Sequence, residues 1–186
     1  MQNVWEVWTS ALTDQECDTI VDLAGRYQPQ AATVGFDDGK RSDKSYRSSI
    51  IRWLDVTVEK ALVDRLMQFV HRSNRSNFGV EIDAPYDLQF TEYHGTSQGK
   101  YDWHQDVWLE SPRPFDRKLS LVVQMSDPGD YRGGQFEFFG LESPGDRFAP
   151  RGSLLIFPSF LQHRVLPVTE GVRRSLVSWV EGPRWR

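Results

Sequence analysis

The pattern of apolar and polar positions changes texture near the middle of the chain. Thr13-Asp-Gln-Glu16 is a capping box, with Thr13 placed to cap a helix and Glu16 to reach back to it. Cys17, Ile20, Val21 and Ala24 follow at helical spacing and predict an amphipathic helix of three to four turns, with Pro29 beyond its end. A second helix is expected from about Asp55, with Val58, Leu62, Leu66 and Phe69 on one stripe and His71 at its polar, solvent-facing end. Residues 35–49 (GFDDGKRSDKSYRSS) lie between them. They are polar and contain Gly, and they read either as a surface loop or as a lid over a site.

Beyond about residue 84 short strands alternate with Gly/Pro/Asp turns. Strands are expected over Tyr86–His94, Lys118–Ser126, Gln135–Phe139, Ser153–Phe157, His163–Val168 and Arg173–Glu181. In the second of these, Leu119, Leu121, Val123 and Met125 alternate with Ser120, Val122, Gln124 and Ser126, the pattern of a half-buried strand. Asp127–Gly134 and Ser143–Asp146 are dense turn clusters. Many short strands after two helices predict a sandwich or barrel with the helices packed on one sheet face. No repeat or linker divides the chain, so one domain is expected over residues 1–186, with helical support over about 1–80 and the β core over about 84–182.

Composition narrows the function classes. The chain has 186 residues, 39% hydrophobic and 26% charged, the balance of an ordinary globular protein. A formal net charge of −4 argues against phosphate-backbone binding, so no nucleic-acid partner is expected. Cys17 is the only cysteine, which rules out an internal disulfide, an iron–sulfur site and a multi-cysteine zinc site, and suits a cytoplasmic setting. The first residues show no basic stretch followed by an apolar run, and no run approaches the roughly eighteen apolar residues of a membrane span. Seven Trp and an aromatic content of 13% point to a large aromatic interior or an aromatic-lined site.

Four histidines make the metal question tractable. His104-Gln-Asp106 puts an imidazole and a carboxylate on one side of an extended segment, and His163 follows in a later strand. Two His and one carboxylate with open positions form the facial triad of non-haem Fe(II) oxygenases; the bland alternative is a hydrogen-bonded surface pair. Arg173 and Ser175 share one strand face, so a guanidinium and a hydroxyl can converge on one anion. Val177 and Trp179 lie on that face too, while Leu176 and Val180 make the other face apolar, so this strand is expected to be buried on one or both sides. Arg174 then faces solvent. His94, beside Gly95, takes a polar surface role.

The ordered set His104-x-Asp106, His163 and Arg173-x-Ser175 resembles the 2-oxoglutarate/Fe(II)-dependent dioxygenase superfamily, and within it the prolyl 4-hydroxylase and PKHD-type hydroxylase branch. The matching stretches are Tyr101-Asp-Trp-His-Gln-Asp106, Ser126-Asp-Pro-Gly-Asp-Tyr-Arg-Gly-Gly-Gln-Phe136, Gly152-Ser-Leu-Leu-Ile-Phe-Pro158 and His163-Arg-Val-Leu-Pro-Val-Thr-Glu-Gly-Val-Arg173. Looser likeness extends to Leu12-Thr-Asp-Gln-Glu-Cys17 and Arg47-Ser-Ser49. The resemblance implies a mainly β (α+β) fold, a double-stranded β-helix or jelly roll with the N-terminal helices packed on the larger sheet. It implies that His104, Asp106 and His163 hold Fe(II) and that Arg173, with Ser175, binds the distal carboxylate of 2-oxoglutarate. Tyr93 resembles a family Tyr whose hydroxyl bonds the same carboxylate. Tyr101 matches an aromatic near the metal loop, with a packing role as the alternative. Trp103, Trp108 and Trp179 are candidates for the pocket wall, and Arg47 for a substrate contact.

The chemistry so implied uses Fe(II), 2-oxoglutarate and O2, with ascorbate as an accessory. It hydroxylates an unactivated C–H and releases succinate and CO2. A carboxylate at Asp106 fills the position that related halogenases leave open for chloride, which favours hydroxylation. A peptidyl proline is the expected substrate, with the 35–49 and 107–117 segments as walls of a groove. The alternatives are a free amino acid or other small metabolite, and, from another class, a non-catalytic metal-binding jelly-roll module. Neither the substrate nor the oligomeric state is legible in the residues.

Overall fold

The computed structural model describes residues 4–35, 41–83 and 85–185, with Tyr86 described for its backbone alone. In chain order the elements are β1 (Glu6–Trp8), α1 (Asp14–Ala24), β2 (Gln30–Ala31), β3 (Arg47–Ser48), β4 (Ile50–Leu54) and α2 (Lys60–Ser73). They continue with β5 (Pro85–His94), β6 (Lys100–His104), β7 (Phe115–Gln124), β8 (Tyr131–Gly133), β9 (Phe136–Phe138), β10 (Leu154–Pro158), β11 (His163–Val165) and β12 (Val168–Pro183). The larger sheet runs β1-β10-β7-β12-β5-β4-β2, with β8 added on β12, and the smaller runs β3-β6-β11-β9. All these pairings are antiparallel. This is the jelly roll with two helices that the resemblance implied.

Each face of the larger sheet has its own apolar cluster. On the outer face Leu119, Leu121 and Val123 of β7 and Leu176 and Val180 of β12 pack against Cys17, Ile20 and Ala24 of α1 and Leu66, Phe69 and Val70 of α2. On the inner face Val122, Leu155 and Phe157 meet Phe136, Phe138 and Val165 of the smaller sheet. The α1 start is the capping box read from the sequence. Thr13 N–H donates to Glu16 Oε2 at 2.7 Å and Glu16 N–H donates to Thr13 Oγ1 at 3.2 Å. No helix among the described residues is long and apolar enough to cross a membrane.

Several expectations need correction. The second helix starts at Lys60 rather than near Asp55. The Asp55 carboxylate accepts from Thr57 N–H at 2.8 Å and from Thr57 Oγ1 at 2.7 Å, and this side-chain turn competes with helix. Val58 is therefore off the stripe and 69% exposed. The 118–126 segment is buried on both faces, because β7 lies between the helices and the smaller sheet, with Ser120, Val122 and Gln124 turned inward. The expected strand 163–168 is two strands. Pro167 carries no N–H to continue a ladder, and the chain crosses there from the smaller sheet (β11) to the larger (β12). Residues 1–80 are more than helical support, since β1, β2 and β4 join the larger sheet and β3 the smaller. Arg174 is half-buried and bonds Glu92 Oε1 at 3.1 Å. In the 35–49 segment, residues 36–40 lie outside the described residues, Arg41 bridges Val34, and Arg47–Ser48 is edge strand β3.

Candidate active site

A cavity of about 880 Å³ opens between the two sheets. The smaller sheet brings His104, at the end of β6, directly opposite His163 on β11 as register partners. Past β6 the chain turns so that Asp106 N–H donates to Ser159 O at 2.8 Å, which aims the Asp106 carboxylate at the same point. His104 Nε2 lies 3.8 Å from Asp106 Oδ1, and His163 Nε2 lies 3.6 Å from Asp106 Oδ2. All three ligand atoms fall within 4.8 Å of one another, so these side chains could hold a metal ion.

The hydrogen bonds of both rings suit that task. His104 Nδ1 is 2.7 Å from Asp102 O and His163 Nδ1 is 2.9 Å from Leu161 O. A carbonyl can only accept, so Nδ1 carries a hydrogen on each ring, and Nε2 is the nitrogen turned toward the cluster. Burial, with the neighbouring His163, pushes His104 down to about 3, so it is neutral near pH 7. Burial alone would raise the Asp106 carboxyl, but His163, His104 and the Ser120 hydroxyl together hold it below the usual carboxylate range. Ring packing restrains both imidazoles. His104 stacks on Tyr101 at 3.4 Å between centroids, and His163 stacks on Phe136 at 5.2 Å.

Ser120 was not singled out in the sequence, yet it orients the acid. Its Oγ donates to Asp106 Oδ2 at 2.6 Å and lies 2.9 Å from Ser159 Oγ, all three groups being buried. Support of this kind typically sets metal affinity by 10- to 100-fold. Ser120→Ala should weaken Fe(II) or Mn(II) binding by about 10-fold or more in an anaerobic metal titration, with little change in melting temperature of the metal-free protein.

Across the cavity, β12 places Arg173 beside Tyr93 of β5, its register partner, with the guanidinium carbon 5.8 Å from the Tyr93 ring centroid. Arg173 is only 1% exposed, and its Nε and Nη1 have no hydrogen-bond partner. An uncompensated buried charge costs about 3–5 kcal/mol, so a guanidinium in this setting calls for an anion. Ser175 is 1% exposed, two residues on along the same face. Tyr93 is 4% exposed, and burial pushes its hydroxyl up, keeping it a donor. Gly134 forms the other side of the cradle. A Cβ there would stand 2.9 Å from Arg173 Cδ and 2.8 Å from Val168 Cγ2, at a backbone φ of +68°. Gly134→Ala should therefore displace the guanidinium and weaken binding of an anion at Arg173 several-fold while metal affinity holds.

All seven site residues expected from the sequence, His104, Asp106, His163, Arg173, Ser175, Tyr93 and Tyr101, line this one cavity, as do Arg47, Trp103, Trp108 and Trp179. Tyr101 both packs and lines: its ring lies between His104 and the Arg47 guanidinium, which is 4.3 Å from the ring centroid. His94 lies outside the cavity lining. Gln89, Thr91, Trp53 and Arg117 were missed. Nothing in a single strand's pattern marks Gln89 as facing a site. Trp53 is on a strand of five residues, too short for alternation to show.

Over 85 residues the chain is 35% identical to a PKHD-type hydroxylase of Synechococcus sp. (strain CC9902), covering 44% of this chain and 36% of that protein. Over 172 residues it is 28% identical to a PKHD-type hydroxylase of Synechococcus elongatus, covering 88% of this chain and 76% of that one. In fold it is similar to a Trichoplax adhaerens prolyl hydroxylase solved with a hypoxia inducible factor oxygen degradation domain peptide fragment, at a TM-score of 0.73 and 18% identity over 96% of this chain and 83% of that one. The stretch from β5 to β12, residues 88–181, carries both the three-donor cluster and the buried arginine. It matches a family model over its whole length, and the chain belongs to the family that model describes, the 2OG-Fe(II) oxygenase superfamily.

Proposed function

We propose that the protein is an Fe(II)- and 2-oxoglutarate-dependent dioxygenase that hydroxylates an unactivated C–H, releasing succinate and CO2. The observation that carries this reading is the unpaired, buried Arg173 guanidinium in the same cavity as the three-donor cluster. His104, Asp106 and His163 would hold Fe(II), and two imidazoles with one carboxylate suit that ion. Arg173, with Tyr93 and Ser175, would take the far carboxylate of 2-oxoglutarate. The charges then close. Asp106 and one carboxylate of the co-substrate balance the metal, and Arg173 balances the other carboxylate. When bound, the iron, 2-oxoglutarate and O2 supply the oxidising power that no side chain has. The chain's own residues position these groups and keep the site dry: Val122, Val165, Val177 and Phe136 wall the cavity near the donors.

The substrate we propose is a peptidyl proline. Support comes from the fold neighbour described as a prolyl hydroxylase and solved with a peptide. A volume of about 880 Å³ leaves room for a residue beside 2-oxoglutarate. The test is incubation of the iron-loaded protein under air with 2-oxoglutarate, ascorbate and Pro-containing peptides. Succinate release and a mass gain of one oxygen on the peptide are expected. Succinate no higher than with metal-free protein would sink the dioxygenase reading and leave the non-catalytic module. Succinate without peptide oxidation would move the substrate to a free amino acid or other metabolite.

A further inference from the structure

Gln89 sits on the inner face of β5, opposite Val177 of β12 and Trp53 of β4, and is 3% exposed. Arg47 Nη2 donates to its Oε1 at 2.9 Å, and Thr91 Oγ1 donates to the same oxygen at 3.1 Å. A guanidinium has no acceptor, so the oxygen of the amide must face it, and this chemistry fixes which end of the side chain points where. Arg47 is itself immobilised. Its Nε donates to Ser49 Oγ at 3.2 Å, and its guanidinium lies over Tyr101, which stacks on His104. The Nε2 end of Gln89 is left facing the cavity, with no hydrogen-bond acceptor among the described residues. A second donor on the same wall, Trp179 Nε1, is also unpaired. The carboxylate nearby, Asp87, is held by Arg117 Nη2 at 3.1 Å. This stretch of wall therefore offers the Gln89 N–H donor beside the Trp53 and Trp179 rings, whose centroids are 6.2 Å apart.

Position says what the donors serve. Gln89 is four residues from Tyr93 on one strand, about 13 Å along it. The four C–C bonds of a five-carbon dioate span only about 5–6 Å. A dioate anchored at Arg173 and Tyr93 ends well short of Gln89, so the amide belongs to the substrate's part of the cavity.

We infer that Gln89 is a specificity-determining residue, its side-chain amide donating to a carbonyl or carboxylate oxygen of the primary substrate. The inference rests on the dioxygenase reading, which puts 2-oxoglutarate at Arg173. An X–Pro amide is tertiary, accepting hydrogen bonds and donating none, and so matches a donor on the wall. The carboxylate of a free amino acid would meet the same group.

The test uses the full chain loaded with Mn(II) and 2-oxoglutarate without O2, titrated calorimetrically with an N-acetylated, C-amidated Ala-Pro repeat peptide and separately with free L-proline. Gln89→Glu is the informative variant, because it keeps an oxygen for Arg47 and replaces the N–H donor with a carboxylate oxygen that repels an acceptor. It should weaken binding of whichever probe the wild type takes by at least tenfold, while 2-oxoglutarate affinity moves less than twofold. Binding of the peptide alone assigns the oxygen to a peptide carbonyl, and binding of L-proline alone assigns it to a free carboxylate. Wild-type affinity in Gln89→Glu overturns the inference, even if Gln89→Met binds poorly, because Gln89 would then serve only to hold Arg47. Binding of neither probe overturns it as well. Failure of the wild type to bind 2-oxoglutarate would be distinct: it removes the dioxygenase reading, and this inference falls with it.

Discussion

Replacing His163 with alanine is expected to abolish both iron retention and turnover. The ring supplies one of three donors, and its loss leaves Asp106, 8% exposed, beside a single imidazole. Two donors on one side do not make a facial site, and the loss should exceed the 10- to 100-fold typical of a supporting residue. The imidazole also fills space between Phe136 and Phe157, at 5.2 and 4.8 Å, so the variant should melt somewhat lower. His163→Gln, which refills that volume, separates the two effects and should lose metal with a smaller change in melting. Iron content after gel filtration and succinate release read both. A variant that keeps full activity would mean the metal is held elsewhere.

Arg173→Ala should leave the metal in place and raise the KM for 2-oxoglutarate about 100-fold, equivalent to about 2.8 kcal/mol. That is what the loss of charged hydrogen bonds in a buried site is worth. Removing an unpaired buried charge should not destabilise the co-substrate-free fold and could raise its melting temperature. Arg173→Lys is not an equivalent replacement, since an ammonium cannot match both oxygens of a carboxylate as a planar fork does. Initial rates over a 2-oxoglutarate series, with metal content measured alongside, check both statements. An unchanged KM would remove Arg173 from co-substrate binding.

Much of this site was legible in the chain because its chemistry sits on strands whose periodicity is short and strict. Arg173-x-Ser175 is a two-residue spacing within one strand, which keeps its side chains on one face. Asp106 instead lies just past the end of β6 and is aimed by its N–H bond to Ser159 O. The capping box at Thr13 was legible for a similar reason, since its two hydrogen bonds join residues three apart. What was hidden depends on partners far away in sequence. Ser120 reads as one polar position in an alternating strand, and only the pairing of β7 with β10 and β12 turns it toward Asp106. Gln89 becomes a directed donor because Arg47, 42 residues earlier, fixes its amide. The misplaced start of α2 has a local cause, the Asp55 side chain taking the Thr57 N–H, which the apolar stripe through Val58 concealed.

The central claim is that a metal held by His104, Asp106 and His163 and an anion site at Arg173 bind one co-substrate together. Equilibrium dialysis of 2-oxoglutarate without O2, with and without one equivalent of Fe(II), tests it most directly. Binding should approach one 2-oxoglutarate per chain with metal present, fall steeply without metal, and weaken in Arg173→Ala at full metal occupancy. Equal binding with and without metal, or wild-type affinity in Arg173→Ala, would contradict it.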